Sequence, residues 1–359
     1  MLPGPVLEPL VNHFVGEFID PAAIGADGEG GGAALMRMGL GIGAADEGVE
    51  RFQPMRQALL DRGRWPERDQ VRAEELVNAF TYADPRPTRA DPRPFRITAE
   101  TVACPWERSH QIVRVAVTSR PLSETQRPPA NLVFLLDVSG SMAADGKLPL
   151  LKRSLHLLVE RLGAEDRVAI VTYAGSATVA LQPTPGDHTR EILNAIDRLR
   201  ASGGTNGSDG LRQAYSLARQ EFRRDGATRV ILASDGDFNA GITNDAELER
   251  LIDDQTRAGI YLTVLGLGMG TRQDRRFERL ADRGNGFYAY IDSDDEAKRL
   301  FAEQLPASLT TLAEDAKIQV FFNPVAVRAW RLLGYEQRTL DRRAFNDDRV
   351  GAGEIGAGH

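Results

Sequence analysis

The stretch FLLDVSGSM (134–142) closes an apolar run with a carboxylate and two hydroxyls at every second position: Asp137, Ser139 and Ser141. In an extended backbone alternate side chains share one face, so these three oxygens point the same way. A row of oxygens suits a hard cation. Two distant segments offer matching chemistry. SGGTN (202–206) is a glycine-rich loop carrying the Thr205 hydroxyl, and SDGDFN (234–239) follows the apolar run VILA with Asp235 at its tip. Two carboxylates and three hydroxyls, without His or Cys, favour Mg2+ or Mn2+, and less so Ca2+, over zinc or copper. With few direct carboxylate contacts the ion stays electrophilic and keeps a position for an anionic oxygen from outside.

These residues can meet only if the elements carrying them build one sheet. Apolar runs at 132–136, 168–171, 230–233 and 260–265 are continuous, as expected of parallel strands covered on both faces. Helical stripes separate them: Leu151, Leu155, Leu158 and Leu162; then Ile192, Ala195, Ile196 and Leu199; then Leu211, Ala214, Ala218 and Phe222. TVALQPT (178–184) reads as an antiparallel edge strand and FYAYI (287–291) as a last parallel one. S293-D-D-E296 is a capping box opening a final helix. The alternation predicts an α/β domain over 129–312, with a doubly wound, mostly parallel, six-stranded Rossmann-like sheet. Ligands of such sheets bind at the carboxyl ends of the strands where strand order reverses, and the first strand usually sits beside that reversal. Asp137 ends that first strand.

The flanks differ in character. Residues 1–45 read as an N-terminal segment whose glycine-dense part, 25–43, is a connector. Residues 46–92 read as helical, closed by the proline-rich ADPRPTRADPRPF. Residues 93–128 and 313–359 read as strands that pair into one β-sandwich-like domain, into which the α/β domain is inserted. VAVRAWRLLG (325–334) is among the expected strands, and with the sequence closing in GEIGAGH the sandwich is expected to be incomplete.

Other chemistries fit less well. Gly39, Gly41 and Ala44 follow glycines instead of a strand, so they make a poor dinucleotide fingerprint. Gly266, Gly268 and Gly270 form a tight strand-to-helix turn, and no phosphate-binding P-loop occurs. SDGDFNAG mimics a calcium loop, but Ala240 and Ala246 stand where a glycine and a bidentate glutamate are required, and Asp237 reads as a turn residue. A phosphoryl-accepting Asp137 would want a second acid two residues on, where Ser139 stands. His13, His110, His156, His188 and His359 mark no general base. Arg272, Arg275, Arg276 and Arg279 recur at helical spacing and read as a solvated helix face. The net charge of −7 gives no basic stripe for nucleic acid. Cys104 is the single cysteine, which excludes intramolecular disulfides and thiolate clusters. No stretch is long enough to span a bilayer, and the opening lacks the pattern of a signal peptide. The expected location is the cytoplasm, or an exported or anchored state if a signal has been removed.

D137-V-S139-G-S141, the Thr205 loop and the S234-D235-G turn resemble the metal-ion-dependent adhesion site of the von Willebrand factor type A domain. The resemblance implies that Asp137, Ser139, Ser141 and Thr205 bind the metal directly or through water. It also implies that Asp235 completes the shell and that an acidic side chain of a partner protein supplies a last ligand. VRAEELVNAF (71–80), PANLVFLLDVSGSM (129–142), KLPLLK (147–152), VILASDGDFN (230–239), GNGFYAYID (284–292) and FNDDRVGAGEIGAGH (345–359) resemble a little-characterised bacterial group. Its members hold this domain between an N-terminal associated region and a C-terminal β-rich region, and often begin with an export signal. The expected function is therefore a non-enzymatic, divalent-metal-dependent protein-interaction module. The alternatives are a Mg2+-dependent phosphate-ester hydrolase using Asp137, and a structural domain with an unused metal site.

Overall fold

The computed structural model describes residues 34–39, 73, 77, 82–121, 127–203, 208–236, 245–268, 271–301, 305, 309–313, 316–334, 339–346 and 355–357. In chain order the strands and helices are β1 (Ala34–Gly39), β2 (Phe95–Ala103), β3 (Gln111–Ser119), β4 (Ala130–Asp137), α1 (Leu148–Val159), β5 (Arg167–Tyr173), β6 (Ala177–Pro185), α2 (Thr189–Arg198), α3 (Ser208–Gln220) and β7 (Ala227–Ser234). They continue with α4 (Asp245–Arg257), β8 (Ile260–Leu267), α5 (Thr271–Arg283), β9 (Tyr288–Ile291), α6 (Asp294–Arg299), β10 (Thr311–Ala313), β11 (Lys317–Phe322), α7 (Arg342–Phe345) and β12 (Ile355–Gly356).

Strands β4 to β9 form the expected six-stranded sheet, in the order β6-β5-β4-β7-β8-β9. All neighbours are parallel except β6, which pairs antiparallel with β5 at the edge. The unbroken apolar run of β4 is explained by two cores. Leu132, Phe134 and Leu136 pack on one face with the α1 leucines and with Ile192 and Ile196 of α2. Val133 and Leu135 pack on the other with Leu211 and Ala214 of α3 and Leu248 of α4. Burying each such side chain is worth about 1.5–3 kcal/mol, so β4, covered on both faces, is the most heavily anchored place from which to present a loop. The chain passes from β4 through α1 on one face to β5, and later returns through α3 on the other face to β7, on the opposite side of β4. The strand order therefore reverses at the end of β4, as the sequence requires.

The amino end of β4 is fixed by one buried carboxylate. Asp166 Oδ1 accepts from the Ala130 backbone N–H at 2.8 Å and from Arg127 at 3.0 Å, while Oδ2 accepts from the Gly163 N–H at 2.8 Å. Ser293 caps α6 by accepting from the Glu296 N–H at 3.3 Å, half of the predicted capping box. Phe222 lies beyond the end of α3 and is 40% exposed, so the third stripe stops at Ala218.

Outside the sheet the described strands make three antiparallel two-stranded ribbons, β1-β11, β2-β3 and β10-β12. Ala34–Gly39 is a strand registered from Ala34 opposite Phe322 to Gly39 opposite Lys317, which corrects the reading of 25–43 as connector throughout. Its apolar Leu35, Met36 and Met38 are hard to read as a strand in the sequence because glycines surround them. The expected pairing of 93–128 with 313–359 is not seen among the described strands, because β2 pairs only with β3, β11 with β1 and β12 with β10; one hydrogen bond links the two stretches, from the Ser119 hydroxyl at the end of β3 to the Gly356 carbonyl in β12 at 2.8 Å. The stretch 325–334, expected as a strand, has no regular structure, and Val325 is 94% exposed. Asn323 accounts for this, because its carbonyl accepts from Ala326 and Val327 and its side chain from the Val325 N–H, building a turn in place of a ladder. Ala73 and Val77 are helical; the other residues of 46–81 lie outside the described set.

Candidate metal centre

Register brings the first three groups together. Asp137 pairs opposite Tyr173 of β5, and Leu136 opposite Ala233 of β7, so Ser234 follows beside Asp137. Asp137, Tyr173 and Ser234 share the parity of the face that packs on α3 and α4. Asp137 is fully buried, and its carboxylate is held by three donors. The Ser139 backbone N–H donates to Oδ1 at 2.8 Å, and the hydroxyls of Ser234 and Tyr173 donate to Oδ2 at 3.2 and 3.3 Å. Burial raises the Asp137 pKa above the usual carboxylate range; the Ser139 N–H opposes the rise and the Asp235 charge adds to it. The Tyr173 hydroxyl, buried beside that carboxylate, stays protonated well past its ordinary range.

The two serines converge by a different route from the one their spacing implies. Ser139 is extended, with φ −62° and ψ 164°, but Gly140–Ala143 is a 3-10 turn closed by the Met142 N–H donating to the Ser139 carbonyl at 3.0 Å. The turn folds Ser141 back until its hydroxyl lies 3.0 Å from that of Ser139. Met142, fully buried, pins the turn to the core. Ser139 is nearly buried and Ser141 exposed, so the hydroxyl pair runs from Asp137 towards solvent.

The glycine-rich loop is drawn to the same place through its backbone. The Ser202 N–H donates to the Val138 carbonyl at 2.7 Å and the Gly140 N–H to the Gly203 carbonyl at 3.1 Å. Gly203 has φ +81°, a conformation that favours glycine. Thr205 lies outside the described residues, as do Asp237 and Asn239.

Asp235 follows β7 into the site, and its side chain is 3% exposed. Its Oδ2 accepts from the Lys147 ammonium at 2.7 Å. Its Oδ1 is buried and finds no hydrogen-bond donor among the described residues. A buried acceptor left without a donor is costly, on the order of 1–3 kcal/mol, and marks a place for a donor or a cation. Among the described residues no group of three His, Cys, Asp or Glu side chains gathers; the oxygens that stand here are the carboxylates of Asp137 and Asp235 and the hydroxyls of Ser139 and Ser141. Such a set suits a hard cation.

Asp137, Ser139, Ser141 and Asp235 thus stand at the carboxyl ends of β4 and β7. Three participants escape a reading of the sequence alone. Tyr173 looks like an ordinary strand residue, and Ser234, although it opens the S234-D235-G turn, shows its bond to Asp137 only with strand register. Lys147 heads the stretch KLPLLK, and no local pattern ties it to a carboxylate 88 residues away.

Comparison with known proteins adds three regional matches. Residues 131–304 match the family model for the von Willebrand factor type A domain, residues 50–114 a model described as von Willebrand factor, and residues 307–359 one described as the C-terminal region of the uncharacterized protein YfbK. The uncharacterized protein YfbK of Escherichia coli (strain K12) is 41% identical over 305 residues, which are 84% of this chain and 53% of that protein. The uncharacterized protein sll0103 of Synechocystis sp. is 30% identical over 198 residues, covering 54% of this chain and 45% of its own length. The chain spans about half the length of these curated relatives. Among solved structures, a von Willebrand factor type A protein from Catenulispora acidiphila aligns with a TM-score of 0.46 at 20% identity, covering 62% of this chain and 51% of that one.

Proposed function

Residues 131–304 of this chain are a von Willebrand factor type A domain in the setting of the YfbK-like bacterial proteins, and from that premise we propose that the domain is a divalent-metal-dependent module for binding a partner protein. Asp137, Ser139, Ser141, Thr205 and Asp235 are the residues proposed to hold Mg2+ or Mn2+. The ion, when bound, supplies an electrophilic position for a carboxylate oxygen of the partner.

One observation carries the reading: two hydroxyls 3.0 Å apart stand over a buried Asp137, while Asp235 keeps a buried carboxylate oxygen without a donor among the described residues. Each residue has a separate task. Asp137 sets negative charge at the floor, and Tyr173 and Ser234 fix its orientation. Ser139 and Ser141 add neutral oxygens, so the ion is not neutralised by the protein alone. The Val138–Ser202 and Gly140–Gly203 hydrogen bonds hold the glycine-rich loop at the rim. A hydrolytic role for Asp137 has less support, because the carboxylate is fully buried and both its oxygens accept hydrogen bonds, leaving a poor path for in-line attack on a phosphate.

A shallow groove of about 770 Å³ begins at Val138 and runs between β6 and α2, with Arg190, Arg198 and Arg200 along it. Asp187 and Glu191 line it too, so the groove is of mixed charge with a basic excess, which is compatible with an acidic partner. The test is capture from native lysate by the immobilised chain. Species retained in millimolar Mg2+ should be released by EDTA and absent with Asp137→Ala; equal retention in EDTA contradicts the proposal.

A further inference from the structure

We infer that Lys147 is a built-in competitor for the metal, an ammonium that neutralises Asp235 in the metal-free protein and must leave when the cation enters. The inference deepens the metal-dependent reading above and rests on it. Lys147 lies between the 3-10 turn of the serine pair and α1, and it reaches across to the end of β7 to place its ammonium 2.7 Å from Asp235 Oδ2. The pair is lopsided in exposure: the Asp235 side chain is 3% exposed and that of Lys147 is 20%. The carboxylate is therefore fixed in the protein, while the lysine has a path to water along its flexible stem.

The stem has its own track. Gly268, with φ +60°, closes β8, and a Cβ there would come 2.7 Å from Lys147 Cε and 3.1 Å from its Cγ. Glycine at 268 thus leaves the room through which Lys147 crosses from β4's loop to β7's. The backbone at Lys147 is also unusual for a residue preceding a helix, with φ −121° and ψ −109°.

The electrostatic consequence follows from charge counting. Asp137 and Asp235 contribute −2, and Lys147 brings the metal-free site to −1. A dication entering beside the ammonium meets a like charge at close range, so binding is opposed unless the lysine swings out. The competitor pairs one oxygen of the buried Asp235 without metal, and it lowers the affinity so that occupancy responds to metal supply and to a partner's carboxylate.

The experiment is magnesium titration by calorimetry of wild type, Lys147→Met and Lys147→Arg, paired with melting curves in EDTA and in saturating Mg2+. Lys147→Met should bind Mg2+ about tenfold more tightly, because the opposing charge is gone. Lys147→Arg, which keeps the charge, should bind within about twofold of wild type. In EDTA the Met variant should melt below wild type, since Asp235 is left buried without its counter-ion, and in saturating Mg2+ that deficit should vanish. Equal or weaker Mg2+ binding by Lys147→Met, or a melting deficit that persists with metal bound, would overturn the competitor role while leaving the metal site standing. A wild-type protein that takes up no Mg2+ would remove both the competitor and the metal-binding reading.

Discussion

Asp137→Ala is expected to remove most of the magnesium-induced stabilisation while the chain remains folded. The carboxylate is fully buried at the point where β4 ends, and its pKa is raised chiefly by that burial, which means that holding the charge there costs stability. Three hydrogen bonds offset the cost, from the Ser139 N–H and the Tyr173 and Ser234 hydroxyls. Substitution removes both the cost and the compensation, so the metal-free melting temperature should move little, by the equivalent of about 1–2 kcal/mol in either direction. The metal response is different. Without the floor carboxylate, the ion keeps one acidic side chain, and Mg2+ affinity should fall at least about 100-fold. Wild type at 1,000 times its dissociation constant gains about 4 kcal/mol from the ligand, and the variant, at no more than about 10 times its own weaker constant, should gain about 1.4 kcal/mol or less. Melting curves with and without millimolar Mg2+ decide the matter; an equal upward shift in both proteins would contradict the role given to Asp137.

Gly286→Ala, in the turn that leads into β9, should be strongly destabilising, costing about 3 kcal/mol or more. The turn after α5 passes through Gly284, Asn285 and Gly286, with Asn285 at φ 49°. A Cβ on Gly286 would lie 2.1 Å from the Leu262 carbonyl oxygen and 2.7 Å from its carbon, well inside any contact a real side chain tolerates. The obstacle is backbone of β8, which cannot swing aside as a side chain would. Either β9 moves away from β8 or the hydrogen bond from the Leu262 N–H to the Gly284 carbonyl, 2.8 Å long, is lost. Overpacking usually costs 1–3 kcal/mol, and backbone displacement lies at or beyond the upper end. Urea unfolding should show a lowered midpoint with little change in slope, and a loss below about 1 kcal/mol would refute the close-packing explanation.

These two positions illustrate what a sequence displays. The continuous apolar runs of β4, β5, β7 and β8 announce parallel strands because both faces of each must be apolar, and the sheet follows with its antiparallel edge at β6. Asp137, Ser139 and Ser141 stand out because polar residues at alternate positions end such a run. The reason for their convergence was only half legible: Ser139 is extended, but a 3-10 turn instead of a strand returns Ser141 to it. Lys147 and Tyr173 carry no local signature, and Ser234 does not show its bond to Asp137, since their significance comes from register between strands far apart in the chain. Gly284 and Gly286 are visible as glycines, but the Leu262 backbone that forbids a side chain is visible only in three dimensions. Ala34–Gly39 was hidden for a related reason, because a strand that pairs with Lys317–Phe322 gives no sign of its partner amid glycine-dense neighbours.

The most direct measurement is the anomalous scattering of crystals soaked in Mn2+. One peak is expected at the carboxyl ends of β4 and β7, in contact with the hydroxyls of Ser139 and Ser141 and reached directly or through water by Asp137, Thr205 and Asp235. A peak elsewhere, or a Thr205 hydroxyl too far from the two carboxylates to share an ion with them, would contradict the site.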